Sequence, residues 1–397
     1  VGSLDIGHGL GSGGSADTNS TAVGRDALDG TTNGAINNTA IGSAALSAAT
    51  SGDENTAVGR NALGVFTGSN ATAVGSGAAD AATSATFLTA VGKGALGACT
   101  EGLENTALGA DALAAVTTGD YNTAVGVTAG YSTTGLRNSF FGKDAGAYAS
   151  STDDCIAIGK GALSGTAIAA ATGNQNIAVG NYALDATTDG AFNVAIGHEA
   201  GTAITGAGGI VAIGYRAMAT ENASGGSVAI GFRALEDQDG SSPNNVAVGY
   251  QAGLNLSSGT DSVYVGYLAG GAGVITGDDN VCIGKSAGQA LVAGHSNVLL
   301  GKDAGLTLAG GTGNVCVGLN AGKLNVAGAD NVLIGRDAGQ ALHATNISDY
   351  NIAIGANAFE SEASGADYCI AIGHDALTLQ NANVKNTVIG GLAGDAI

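Results

Sequence analysis

The sequence predicts an all-β chain folded as a parallel β-solenoid, flattened into a roll of about 23 coils of roughly 17 residues each. Three observations carry this. A phrase of the type Asn-Thr-Ala-Val-Gly returns along the whole chain, its spacing is nearly constant, and its columns alternate as a pleated strand does. Composition agrees: 70 of 397 residues are Gly, only Pro243 is Pro, and 45% are hydrophobic. Collagen would need abundant Pro, and a flexible Gly-rich linker would not be nearly half apolar. With 4% aromatic residues and no Trp, the apolar content is small or β-branched, which implies a thin core.

The Gly that closes each phrase serves as a marker. The series runs from Gly7 to Gly390 through Gly24, Gly42, Gly59, Gly92, Gly126, Gly197, Gly249, Gly301 and Gly335, with two longer steps, Gly159 to Gly180 and Gly335 to Gly355. The residue before the marker is large and apolar. Three before it stands Thr in the early repeats (Thr21 to Thr123) and Val or Ile in most later ones, with a small residue between. Apolar, small, apolar predicts a strand of four or five residues, and the change from Thr to Val or Ile reads as a buried, branched position. Three after the marker Ala recurs in every repeat but the first, followed by Leu or Gly, which reads as a second short strand. The remainder is turn material.

Asn stands four before the marker in 14 repeats, among them Asn55, Asn105, Asn193 and Asn331. At a loop-to-strand corner it tolerates left-handed backbone and can stack its side-chain amides. The marker Gly reads as the complementary corner, supplying positive φ or close backbone approach. Residues 1–18 read as an N-terminal lead-in coil and 19–397 as one continuous repeat domain. At about 4.8 Å per coil, the stack predicts a rod of roughly 110 Å. Ordering one coil costs more backbone entropy than its few large apolar side chains return, so no coil stands alone. A thin Ala-lined roll has flat faces suited to copies of itself, which predicts an oligomer, a homotrimer.

The phrases NTAVG and NVAIG (Asn193–Gly197), with Ala three after the Gly, resemble the head repeat of trimeric autotransporter adhesins, the YadA-like head; similar arrays occur in phage tail fibres and related surface fibres. The likeness covers about Asn19 to Gly390. It implies a left-handed parallel β-roll, three chains about one axis, holding a binding surface away from a particle or cell. The repeat here is a few residues longer, and the sequence shows no heptad stalk, neck or membrane anchor. The expectation is therefore a fibre segment, a virion tail fibre, with a bacterial adhesin head binding matrix or glycan as the alternative.

Thirteen basic against 33 acidic residues give a net charge of −20, which opposes nucleic-acid or anionic-membrane partners. No apolar run reaches the roughly 18 residues of a membrane span, the best being near Ala167–Ala171. The chain opens at Val1 without a charged-then-apolar leader and reads as processed or as part of something longer.

Enzyme motifs dissolve into the repeat. Gly284–Gly288 reads GKSAG, yet the same columns read GKDAG at Gly142–Gly146 and Gly301–Gly305 and GRDAG at Gly335–Gly339, so Ser286 fills a variable slot. A G-x-G-x-x-G match at Gly9–Gly14 reads as a Gly-rich lead-in. His8, His198, His295, His343 and His374 lack metal-ligand spacing. Cys282 and Cys316, two coils apart, read as buried stand-ins for Ala; Cys155 and Cys369 replace the corner Asn, and Cys99 lies in a turn. No catalytic or metal residue is assigned and no cofactor is expected, though acidic residues before the corner Asn (Asp53, Glu54, Glu104, Asp120, Asp153, Asp154, Asp278, Asp279, Asp330 and Asp349) form an edge that could hold Ca²⁺. Basic residues right after the marker, often followed by Asp, suggest an inter-chain salt-bridge column or a solvated row. In four coils that position is Tyr215, Phe232, Tyr250 and Tyr267, a candidate strip for a glycan or receptor, or a self-stacking seam. The expected function is a non-enzymatic, extracellular fibre or adhesin segment; ice binding through the Thr column and a tailspike-type glycanase are lesser alternatives.

Overall fold

The computed structural model describes residues 6–7, 19–30, 35–165, 171–220, 225–238, 243–271, 273–342, 348–362, 366–380 and 385–394. Most of the lead-in coil, including the Gly9–Gly14 match and His8, lies outside them, as do His343 and most of Ala167–Ala171. The described residues form an all-β parallel solenoid of about 20 turns with no helix. The chain divides into two compact units, Val1–His198 and Glu199–Ile397.

In the first unit eleven three-residue strands run from Thr21–Val23 to Val194–Ile196, each paired in parallel with the next. Register is constant from coil to coil: Thr56 opposes Thr72, Ala57 opposes Ala73 and Val58 opposes Val74. Ile6–Gly7 pairs antiparallel with the first of these strands. The second unit repeats the plan with eleven strands from Val211–Ile213 to Thr387–Ile389. The strands are shorter than the four or five residues expected, because the marker Gly and the buried corner residue bend the backbone on either side.

The expected second strand is replaced by turns. Two residues after each marker from Gly24 to Gly390, and again four after it, φ is positive: 57° at Asn61 and 50° at Leu63. This alternation is incompatible with a pleated strand, and it divides the N–H groups between two sets of acceptors. Ala62 N–H donates to Gly59 O within its own coil at 3.3 Å. Leu63 N–H donates to Ala78 O of the next coil at 3.0 Å. A second two-stranded parallel pairing occurs only at Ser361–Glu362 with Leu379–Gln380 among the described residues.

The interior also differs from the expectation. Strand positions alternate, and the inward one is the middle, small residue: Ala57, Ala90, Ala178 and Ala229 are fully buried. The branched residues flanking it point out of the roll, so the Thr/Val/Ile column read as buried lies half-exposed. The roll is too thin to take both sets inside. Its core is the middle strand residue, the Ala and Leu three and four after the marker (Ala62 and Leu63), and one further side chain at the turn, such as Phe66 or Leu308.

Leu and Gly alternate after the recurrent Ala for a packing reason. Where the middle strand residue is Ala, the opposite wall usually carries Leu; where it is Phe140, Tyr264, Leu299 or Leu333, the wall carries Gly146, Gly270, Gly305 or Gly339. A Cβ on Gly146 would meet the Phe140 ring at 2.6 Å, and one on Gly305 would meet Leu299 at 2.8 Å. Large and small exchange sides while the filled volume stays the same.

Candidate functional site

Every marker glycine expected as a corner has positive φ: Gly24, Gly42, Gly59, Gly92, Gly126, Gly197, Gly249, Gly301 and Gly335 lie between 129° and 141°. At Gly42 a Cβ would lie 2.6 Å from Gly59 O of the next coil, so conformation and close approach both require Gly.

Of the two roles expected of the corner Asn, the stacked side-chain amides are present, whereas the left-handed backbone falls to its neighbour. The left-handed residue is the one before it (Glu54, φ 60°; Glu104, 54°; Phe192, 63°; Asp330, 54°), while the Asn is buried and pairs across coils. Asn55 N–H donates to Asn38 Oδ1 at 2.9 Å, Asn55 Nδ2 to Gly68 O at 3.0 Å, and Asn55 Oδ1 accepts from Ala71 N–H at 2.9 Å. Asn105 Nδ2 donates to Gly119 O at 2.7 Å, and Asn193 N–H to Asn176 Oδ1 at 2.9 Å. From Asn280 to Asn331 the side-chain amides also bond one to the next, as Asn331 Nδ2 does to Asn314 Oδ1 at 3.0 Å. The amide thus connects three coils at a point where the strand ladder has ended.

The acidic edge has a related duty. Asp53, Asp120 and Asp153 each accept, through Oδ1 at 2.8 Å, a backbone N–H from the preceding coil: those of Ile36, Leu103 and Leu136. Among the described residues no group of three or more His, Cys, Asp or Glu is placed to hold a metal ion. The basic column pairs within the chain and with its own neighbour: Arg25 with Asp26 at 3.5 Å, both exposed, and Arg336 with Asp337 at 3.2 Å, where the guanidinium is exposed and screened by solvent, so each pair is worth little. Ser286 occupies a turn with φ 56° and is not followed by a helix, so the hydrolase arrangement is missing from this segment. All five Cys are buried and none is in a disulfide among the described residues. Burial pushes the Cys99 thiol up to about 11 and those of Cys282 and Cys316 up to about 12, which makes them poor nucleophiles.

Tyr215, Phe232, Tyr250 and Tyr267 form one continuous stack. Successive ring centroids lie 5.2, 5.1 and 5.2 Å apart with planes within 15° of parallel. Beyond it Lys285 Nζ stands 5.6 Å from the Tyr267 centroid. The two inner rings have both faces covered by neighbours and offer solvent their edges. This is the self-stacking geometry, and it leaves no inner ring face for a sugar.

Two surface features were not read from the sequence. The first is the outer face of the strands, where the residues just before the markers (Ile41, Val74, Leu108, Ile158, Leu300, Ile334, Ile354) are exposed at 37–48% and form an apolar column in each unit. The second is a groove of about 670 Å³ in the first unit, lined by Thr128, Tyr131, Lys143, Asp144, Tyr148 and Lys160 with Tyr182 and Asp185. Lys143 Nζ lies 3.2 Å from Asp144 Oδ2, and Lys160 Nζ 5.2 Å above the Tyr182 ring centroid. Burial works against the Asp144 carboxylate, but the Thr128 hydroxyl that donates to it and the Lys143 ammonium hold its pKa below the usual carboxylate range.

Comparison with known protein families finds no match to this chain, and no curated protein matches it either.

Proposed function

We propose that this chain is a structural segment of a homotrimeric extracellular fibre, whose strand faces pack against those of two further copies. One observation carries the reading: the outward apolar column on the strands of both units. Contiguous exposed apolar surface of this length is unusual on a monomer. The occupant argued for is a second and third copy of the chain, because only a surface with the same coil spacing meets the column in register along its whole length. The net charge of −20 opposes nucleic acid and anionic membrane as partners, and the buried, high-pKa thiols and ladder-bound carboxylates leave little for catalysis. The sequence likeness to YadA-like heads supports attachment as the role, on a virion tail fibre or, as the alternative, on a bacterial surface adhesin.

Ice binding draws on one observation of its own, since the Thr column from Thr21 to Thr123 faces outward. That column ends where Val and Ile replace Thr, whereas an apolar contact with another copy accounts for both stretches. Thermal hysteresis comparable to buffer removes the ice reading. Native mass spectrometry tests the main one: a species of three chains is expected, and a 37.8 kDa monomer at micromolar concentration overturns it.

A further inference from the structure

The chain has seven Lys and ten Tyr in 397 residues, and two of those Lys and three of those Tyr line one groove. The groove spans four coils of the first unit and is lined by residues that follow the marker glycines, outside the strands. Its chemistry is mixed. Tyr131 and Tyr148 are exposed at 41% and 37%, and among the described residues no aromatic ring stacks on either, unlike the rings of the Tyr215 to Tyr267 ladder. Lys143 is neutralised by Asp144. Lys160 has no carboxylate within ion-pair distance among the described residues; its partner is Tyr182, whose hydroxyl raises the Lys160 pKa and keeps the ammonium charged.

We propose that this groove binds an acidic oligosaccharide, with a sugar carboxylate on Lys160 Nζ and a pyranose face against Tyr148 or Tyr131. Phenol faces match the apolar C–H face of a pyranose, and the Ser164 hydroxyl and the tyrosine O–H groups exchange hydrogen bonds with sugar hydroxyls. One unpaired cation selects one carboxylate. Asp144 and Asp185 in the wall, together with the net charge of −20, repel a polyanion such as a nucleic acid or a sulfated chain.

The inference deepens the attachment role proposed above and rests on it, but its test reads binding and leaves assembly to the native mass. Saturation-transfer NMR on the full chain, with 3′-sialyllactose and cellobiouronic acid, each bearing one carboxylate, as acidic probes and lactose and cellobiose as neutral ones, is the measurement. Transfer is expected to the acidic probes above the neutral ones. Lys160→Gln and Tyr148→Ser should each weaken it by roughly tenfold or more, with the native mass and melting temperature unchanged. Lys302→Gln, in the same column of the second unit, should leave it intact. No transfer to either acidic probe, transfer that survives both groove substitutions, or equal loss in Lys302→Gln overturns the proposal. Absence of transfer to the unsubstituted chain while its native mass is that of the trimer counts against the groove alone.

Discussion

Gly301 and Gly310 stand nine residues apart and answer to different constraints. Gly301 has φ 140°, and its hydrogen points at the carbonyl of Gly318 in the next coil; Gly310 has ordinary φ and open space where a Cβ would go. A side chain at Gly301 therefore strains its own backbone and pushes a neighbouring coil away. Gly301→Ala should destabilise the fold by about 1–3 kcal/mol, the cost of a residue forced into a sparsely populated conformation, whereas Gly310→Ala should change stability by less than about 0.5 kcal/mol. Urea unfolding of the two variants beside the parent checks this; equal loss in both would mean that glycine matters here through chain entropy and not through the corner. The same logic explains why the residue before each buried Asn tolerates Glu54, Tyr121, Arg137 or Phe192 at positive φ: the Asn amide and the coil above hold that backbone whatever side chain it carries.

A coil is the unit at which packing is decided. Leu299 fills the core between Gly288 and Gly305, and a Cβ on either glycine would lie 2.9 or 2.8 Å from it. Leu299→Ala should cost about 2–5 kcal/mol, because the walls of a thin roll cannot collapse onto the void. Gly305→Leu alone should overpack the same space. Combined, Leu299→Ala and Gly305→Leu recreate the pattern of coils such as the one holding Ala57 and Leu63, where Leu already occupies that position at φ 50°. The double variant should recover most of the loss, and a double-mutant cycle measures the coupling; additive losses would refute the exchange. The period, the marker glycines and the column identities were legible in the sequence, because a stacked coil repeats its chemistry with its geometry. Which strand face points inward was not. Both faces are apolar, so alternation marks a strand without saying which face is inside; the buried Cys282 and Cys316 fit the Ala column, whereas the branched column three before the marker, expected inside, lies half-exposed. Turns with alternating φ were also illegible, since Ala62-Leu63 carries the composition of a strand. The groove combines Lys143 and Lys160, which the repeat stacks because each follows a marker, with Tyr148 and Tyr182 from variable columns beside the long step after Gly159, and no spacing rule brings those rings to the two Lys.

At the scale of the whole molecule, two forces bear on assembly with opposite sign. The outward columns ending in residues such as Leu300, Ile334 and Ile354 favour contact between copies through apolar burial, which salt hardly weakens. Thirty-three acidic residues against 13 basic ones give each copy −20, so three copies repel one another over a distance set by the ionic strength. The Debye length shrinks from about 14 Å at 0.05 M salt to about 4 Å at 0.5 M, which screens the repulsion and leaves the apolar term in place. Association should therefore tighten as salt rises, opposite to an interface held by complementary charge. Sedimentation at dilute protein should show the proposed trimer persisting to lower concentration at 0.5 M than at 0.05 M sodium chloride. Replacing Ile334 and Ile354 with Glu places like charges in the column and should convert the chain to monomer at both salts, while the inward Ala353 and its hydrogen-bonded ladder preserve the fold as read by circular dichroism. Dissociation by added salt, or a trimer unaffected by the two substitutions, would place the contact on another face of the roll.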